Sequence, residues 1–199
     1  MSTFKIPNFA GGLNQSADDS VSSVNQSRNA QNVDVSSGTL KTISGYSKYI
    51  ATAAPAGITR LMKFYKNNTS TGAVTSYLLA ATATAIYYWT GSAWSALATG
   101  LTSGDWDYFN YQIGATDVVI MGNGADTMKK WDGTTFANLG GNPPNMKSVT
   151  LHSERIWGTG VKATPNSVYY SDTIGKGHTG PENWTIAEDM AGVVNVPTW

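Results

Sequence analysis

Few side chains in this sequence could carry a chemical step. There are two histidines and no cysteine, so thiol nucleophiles, thiolate metal sites and disulfides are excluded. His152, close to Glu154 and Arg155, has the neighbours of a general base, but it ends a predicted strand, where a turn histidine is the simpler reading. His178 lies in Gly175-Lys176-Gly177-His178-Thr179-Gly180, which lacks the strand-to-helix setting and the Lys-Ser/Thr pair of a phosphate loop; we read a plain loop. Gly122-Asn123-Gly124 is half of a dinucleotide fingerprint, is followed by strand rather than helix, and reads as a turn. Asp105, Asp107, Glu154, Asp172, Glu182, Glu188 and Asp189 are the carboxylates from which a glycosidase would need a pair held about 5 to 10 Å apart. Asp18-Asp19 and Asp132-Gly133 offer oxygen ligands of the kind calcium takes, but neither has the loop spacing of a calcium site. The sequence thus points to no catalytic residue, no metal site and no cofactor, and the chain reads as a protein without enzymatic activity.

The elements that would position these residues are strands. Apolar residues make up 41% of the 199-residue chain, enough for a core, while charged residues are only 13%, about half the usual share. The surface is therefore left to Ser, Thr, Asn, Gly and Tyr. That mixture, with 21 Gly and 11% aromatics, suits short strands and tight turns. Thirteen basic residues balance thirteen acidic ones with no run of either sign, so there is no electrostatic footprint for nucleic acid or a membrane surface. No window approaches the roughly 20 apolar residues of a membrane span, and the N-terminus lacks a signal-peptide core.

Residues 1–57 are rich in Ser, Asn, Gln and Asp and read as an extended arm that docks on something else. Val33 and Val35, with Leu40 and Ile43 across Ser37-Gly38, predict one short hairpin, and residues 21–32 are the only candidate for a short helix. Residues 58–199 alternate strand and turn, with strands expected at 59–65, 76–81, 85–88, 108–112, 117–121, 127–131, 148–152, 155–159 and 167–171.

Within that region a repeat appears. Tyr77-Leu78-Leu79…Ile86-Tyr87-Tyr88-Trp89-Thr90-Gly91 aligns without a gap on Val119-Ile120-Met121…Met128-Lys129-Lys130-Trp131-Asp132-Gly133, an offset of 131 − 89 = 42. Trp94 then falls on Phe136, and Leu97 on Leu139. Each copy reads as three strands, and a diverged third copy runs from Arg155-Ile156-Trp157-Gly158 to Ser167-Val168-Tyr169-Tyr170-Ser171. Periods of 40 to 45 residues are the signature of β-propeller blades. The expected fold is all-β, with about three blades of a larger propeller behind the arm. Three blades fall short of closure, so either the polypeptide is longer or another chain completes it, and the apolar ending Val194-Asn195-Val196-Pro197-Thr198-Trp199 favours the longer polypeptide. The seven Trp then serve blade packing, with carbohydrate stacking as the alternative for one or two.

Ser171-Asp172-Thr173-Ile174-Gly175 through Trp184 has a faint likeness to the Asp-box turns of sialidases, but its spacing is wrong, that motif is structural, and three arginines in all (Arg28, Arg60, Arg155) show no carboxylate-binding cluster. A fuller resemblance lies in the arm. Phe9-Ala10-Gly11-Gly12-Leu13-Asn14-Gln15, then Gln26, Asn32-Val33-Asp34, Gly38-Thr39-Leu40-Lys41 and Gly45-Tyr46, resembles the opening of tail proteins of tailed bacteriophages. Those proteins begin with an aromatic-x-Gly-Gly-(Leu/Ile)-x-Gln phrase, a later Gln, an Asn and a Gly-x-Leu-(Lys/Arg)-x-x-Gly turn. Glu154 to Gly158, Val168 to Asp172 and Pro181-Glu182-Asn183-Trp184 are similar to the blades they carry. The likeness is to the tail nozzle, or tail tubular protein B, and to the tail accessory and packaged-DNA stabilisation proteins of short-tailed phages. The chain departs from them at Lys41-Thr42-Ile43-Ser44-Gly45-Tyr46, where the family often has Lys/Arg-Arg-Pro-Gly, and in its shorter length.

The resemblance implies a structural virion protein, placed in the phage tail and made in the host cytoplasm. It would form a ring with copies of itself, expected to be a hexamer, beside portal, adaptor or other tail proteins. The ring would line or plug the channel through which DNA passes without specific binding. Phe9, Gly11, Gly12, Leu13, Gln26 and Val33 are the candidate subunit contacts. The alternative is a glycan- or receptor-binding propeller module of a tail.

Overall fold

A computed structural model of the chain describes residues 8, 10–15, 18, 23, 25–27, 29–34, 37–175, 178–187 and 191–197. The chain divides into two compact units, Met1–Ala51 and Thr52–Trp199. It is all-β, and no helix occurs among the described residues.

The first unit holds one small hairpin, β1 (Val33–Asp34) and β2 (Lys41–Thr42), in antiparallel register with Val33 opposite Thr42. This is the hairpin expected from the Val and Leu spacing; Val35 lies outside the described residues. Gly38, at φ 73°, takes the turn between the strands. The helix considered for 21–32 does not form in the described part of that stretch, which is turn and a parallel bridge between Leu13 and Ser27. Ser and Asn side chains offer the backbone local bonds that compete with a helix, and Ser27 Oγ donates to the Asn29 carbonyl in this way.

The second unit is built of three four-stranded antiparallel sheets. Sheet 1 runs β3 (Ile58–Asn67), β4 (Val74–Thr82), β5 (Ala85–Trp89), β6 (Trp94–Thr99). Sheet 2 runs β7 (Asp107–Ile113), β8 (Thr116–Gly122), β9 (Lys129–Trp131), β10 (Phe136–Asn138). Sheet 3 begins β11 (Ser148–His152), β12 (Arg155–Thr159), β13 (Ser167–Tyr170). A two-residue pair, β14 (Ile174–Gly175) and β15 (His178–Thr179), then intervenes before β16 (Gly192–Asn195) takes the fourth place beside β13. No sheet closes on itself.

Strand alternation puts one apolar set on each face, and the sheets stack through those faces. Between sheets 1 and 2 lie Met62, Phe64, Leu79, Ala81 and Ile86 against Val119, Met121 and Trp131, with Leu101 and Trp106 from the connection. Between sheets 2 and 3 lie Val118, Ile120 and Met128 against Val149 and Ile156, with Leu139 and Met146 at the connection. Sheet 2 is thus covered on both sides, which explains the unbroken apolar run Val118-Val119-Ile120-Met121, all at most 3% exposed. Each such side chain contributes about 1.5–3 kcal/mol by leaving water. Trp131 is the largest packing element: its ring centroid lies 5.1 Å from Tyr77, 5.1 Å from Tyr88 and 5.7 Å from Phe64.

The first strands of the three sheets come together, and polar side chains of sheet 2 secure them. Asn110 on β7 accepts from the Tyr65 amide (3.4 Å) and donates to the Lys63 carbonyl (3.0 Å), and Asp117 accepts from the Asn67 amide (2.6 Å), so the free edge of β3 is occupied. On the other side Asp107 accepts from the Val149 amide (3.0 Å) and Ser148 Oγ (3.1 Å), and the Tyr111 hydroxyl donates to the Glu154 carbonyl (2.9 Å).

The structure revises the repeat in three ways. Each copy has four strands, not three, because β3 and β7 precede the strands that the alignment matched. Residues 68–73 join β3 to β4 whereas Gly114-Ala115 suffice for β7 to β8, so a gap-free alignment cannot carry through the first hairpin. The second strands are also slipped by one: Leu79 pairs with Tyr88 and Ile120 with Lys130, so 130 − 88 = 42 for the third strand but 120 − 79 = 41 for the second. A one-residue slip exchanges faces. Leu79 therefore corresponds to Ile120, not Met121, while Trp89 and Trp131 remain matched.

Candidate assembly surfaces

In the arm, the structure brings four of the six candidate contacts together. Asn14 N donates to Ser27 O (2.9 Å) and Ser27 N to Gly12 O (2.9 Å), which clamps Gly12-Leu13-Asn14 beside Ser27. Gln26 Oε1 accepts from Asn14 Nδ2 (3.2 Å) and from the Ser23 amide (3.3 Å). Gly11 is required by this arrangement: a Cβ there would sit 2.5 Å from Gln26 Cγ and 2.8 Å from the Asn25 carbonyl. Gly12, at φ 64°, needs glycine for its backbone. Gln26 and the two glycines are thus engaged inside the arm itself. Val33 stands apart on the hairpin, where with Gly12, Ser27 and Leu40 it lines a shallow, mainly apolar groove. Phe9 lies outside the described residues.

Among the polar residues on its surface, the arm also exposes five large apolar side chains: Leu13 is 53% exposed, and Leu40, Ile43, Tyr46 and Tyr49 are more so, up to 100% for Tyr46.

Two sheet faces in the second unit are likewise open. The outer face of sheet 1 carries Leu61 and Tyr65 on β3, Leu78 on β4, Tyr87 and Trp89 on β5, and Trp94 on β6, by the same alternation that buries Met62, Phe64 and Leu79 on the other side. Leu61 is 53% and Tyr65 46% exposed, Tyr87 and Trp89 are half-buried, and Trp89 meets Trp94 edge-on at 5.4 Å. Sheet 3 turns out Trp157, Val168, Tyr170 and Val194. Tyr170 stacks on Trp157 at 4.8 Å, with His152 6.2 Å from Trp157 on its other side and the Arg155 guanidinium 5.5 Å over the Tyr170 ring. The Tyr170 ring lies flat over Gly192, where a Cβ would overlap its hydroxyl and ring carbons.

The sequence reading expected an unclosed array of blades to leave apolar faces bare, but did not locate them and gave the seven Trp to blade packing, with carbohydrate stacking as the alternative for one or two. A signal was present: Ile58-Thr59-Arg60-Leu61-Met62-Lys63-Phe64-Tyr65 has apolar residues on both parities, whereas a strand with one wet face alternates.

The residues considered for chemistry are occupied elsewhere. His152 is exposed at the end of β11, and its carbonyl accepts from Trp157 Nε1 (3.1 Å). Glu154 stands with Ser153 at positive φ (61° and 48°) in the tight turn to β12, and its carbonyl takes the Tyr111 hydroxyl bond. Burial, with the Glu154 carboxylate as a lesser cause, raises the pKa of that hydroxyl. Asp105 pairs with Lys147 at 2.8 Å; this hydrogen bond and charge hold its carboxyl below the usual range. Asp107 faces Arg60 at 3.6 Å besides its bonds to β11. Asp172, fully buried, accepts from the Thr173 amide and from Asn183 Nδ2, while Asn183 O accepts the Asp172 amide, so the segment likened to an Asp box is a structural turn. Glu182 receives Lys130 Nζ at 2.7 Å and the Gly140 amide at 2.6 Å. Asp132 caps its turn by accepting from the Thr134 and Thr135 amides, and Asn123 does the same for Ala125 and Asp126. Asp19, Glu188 and Asp189 lie outside the described residues, and of His178 only the backbone, in β15, is described. Among the described residues no three His, Asp or Glu side chains converge as a metal site would need, and no helix is long and apolar enough to cross a membrane.

Compared with known proteins, the chain matches no family, no curated protein and no solved structure.

Proposed function

We propose that this chain is a structural subunit of a bacteriophage tail, which works by assembling with copies of itself and neighbouring tail proteins into a ring around the DNA exit channel, without a chemical step. The observation that carries the reading is the placement of apolar side chains: two aromatic sheet faces stand open, and Leu13, Leu40, Ile43, Tyr46 and Tyr49 are exposed in the arm. A protein that works alone has little use for such surface, whereas an assembly protein buries it. The arm motif Gly11-Gly12-Leu13 with Gln26, which resembles that of phage tail proteins, supplies the class. Gly12, Leu13 and Gln26 share one clamp, so the motif acts as a unit that can present Leu13 and Leu40 to a neighbour.

The three stacked sheets are read as blades of a β-propeller. Each is a four-stranded antiparallel sheet, successive sheets stack face to face, and the first strand of each outer sheet packs on the first two strands of sheet 2. The neutral balance of charge fits a channel that lets DNA slide rather than holding it.

The mass and shape of the purified assembly, by light scattering and negative-stain imaging, test this reading. Rings of many copies are expected; a particle that is a compact monomer at every concentration rejects it. A second reading, a glycan- or receptor-binding tail module, is favoured by the row His152–Trp157–Tyr170 on the open face of sheet 3. Glycan-array binding that Trp157→Ala abolishes would establish it instead.

A further inference from the structure

The two open faces are not alike, and the difference between them is that between the two sides of one joint. In the joint between sheets 1 and 2, sheet 1 offers its forward face, with the cross-strand pair Leu79–Tyr88 on its second and third strands. Sheet 2 offers its backward face, from which Trp131, at the end of the third strand, enters the cage of Phe64, Tyr77 and Tyr88 and is left 1% exposed. The open face of sheet 3 is a forward face, and at the corresponding place it holds a cross-strand pair of aromatics, Trp157–Tyr170. The open face of sheet 1 is a backward face, and at the place of Trp131 it holds Trp89, whose ring, among the described residues, meets the Trp94 ring alone. One end of the stack therefore carries the inserted ring and the other carries the surface that receives one.

We propose that a second copy of this chain completes the stack: sheet 1 of each copy packs on sheet 3 of the other, Trp89 meeting Trp157 and Tyr170, so that two chains related by a twofold axis close a ring of six sheets. The inference rests on the propeller reading above and not on the phage reading. The number of copies follows from closure. Propellers close with roughly four to eight blades; two sets of the three four-stranded sheets make six, and three sets would exceed the range. A joint in which each chain gives a different face, and which closes after two copies, leaves neither face wet nor any end on which a filament could grow. The cations on these faces do not oppose stacking, since the Lys63 ammonium lies 5.1 Å over the Tyr65 ring and the Arg155 guanidinium over that of Tyr170.

The test is sedimentation equilibrium of the full chain, with one substitution on each open face at positions that are half exposed, so that folding is spared: Leu61→Glu on sheet 1 (53% exposed) and Val194→Glu on sheet 3 (50% exposed). The wild type is expected to form a two-copy species. Each variant alone should pair roughly a hundredfold more weakly, because both joints of the pair bury the new carboxylate. Mixing the two variants should restore a mixed pair, since sheet 3 of the first and sheet 1 of the second are intact and make one good joint; an interface that uses the same patch on both copies cannot do this. Far-ultraviolet circular dichroism matching the wild type shows that the sheets are folded, and Thr150→Glu, on the forward face of β11, serves if Val194→Glu does not fold. A wild type that stays monomeric, pairs unaffected by both variants, or open filaments would overturn the proposal. A six-copy ring indifferent to both variants would overturn it and leave the tail reading standing, while a two-copy species sensitive to both that forms no larger ring would do the reverse.

Discussion

Asp126 shows how a single carboxylate couples two segments. It accepts from the Thr102 amide (2.9 Å), from Thr102 Oγ1 (2.6 Å) and from Asn123 Nδ2 (2.7 Å), tying the connection between sheets 1 and 2 to the loop after β8. Burial by itself would raise its pKa, but the hydrogen bonds from Thr102 and Asn123 outweigh it and leave the carboxyl below its ordinary 3.8. A folded-state pKa below the unfolded one stabilises the fold at pH values above the unfolded value, and that stabilisation disappears as the pH falls through the folded value. Asp126→Ala is expected to lower stability by roughly 1–2 kcal/mol at neutral pH, since donors lose a charged acceptor. The gap to wild type in urea denaturation should begin to narrow as the pH falls below the ordinary 3.8 and go on closing as it falls through the lower folded value. A gap that stays constant down to pH 2 would show that the carboxylate is not the cause. This role was not legible beforehand, because Thr102 and Asp126 meet only once the sheets have stacked.

The strands themselves were legible. Segments 148–152 and 155–159 end where β11 and β12 end, since Ser153-Glu154 leaves room only for a tight turn between alternating runs. Facing was harder to read: the one-residue slip between Leu79 and Ile120 arises in a hairpin loop, Asn123 to Met128 against Ala83-Thr84, whose extra residues a repeat search does not weigh. The fourth strand of sheet 3 was illegible for a different reason, since residues 171–191 separate β13 from β16 and no local pattern announces the return. Glu182 anchors that excursion to sheet 2 through Lys130 and the Gly140 amide, and Gly141 has no room for a Cβ beside the Glu182 carbonyl. Glu182→Ala should therefore cost about 1–3 kcal/mol, because a half-buried ammonium and an amide lose their acceptor. Hydrogen exchange should quicken most in β16, whose position depends on the anchored segment. Uniform quickening over all three sheets would mean that the anchor acts on the whole unit instead.

At the scale of the molecule, the arm and the sheets are separate compact units, and each has its own unpaired apolar surface. Removing residues 1–51 is expected to leave the sheets folded, with an unchanged cooperative melt, while abolishing assemblies larger than the two-copy species. Light scattering of the shortened chain checks this, and full-sized rings from it would show that the arm takes no part in assembly. The arm motif was legible in the sequence, but the local work of its residues was not: the glycines and Gln26 hold a clamp within the arm. Leu40, Ile43, Tyr46 and Tyr49, which were not among the candidate contacts, are the more exposed apolar residues, those that the assembly proposal would have meet a neighbour.

The bonds that sheet 2 sends to both neighbours bear on how the chain folds as it is made. When the chain has emerged as far as β6 but not β7, sheet 1 has the edge of β3 free and both apolar faces without a cover. The arrival of Asn110 on β7 and Asp117 on β8 closes that edge, and β7 also brings Asp107 into position to receive Val149, a few seconds of elongation later. The middle sheet is therefore the template on which the last one is laid, and a nascent chain from which β6 has emerged but β7 has not is at its most adhesive.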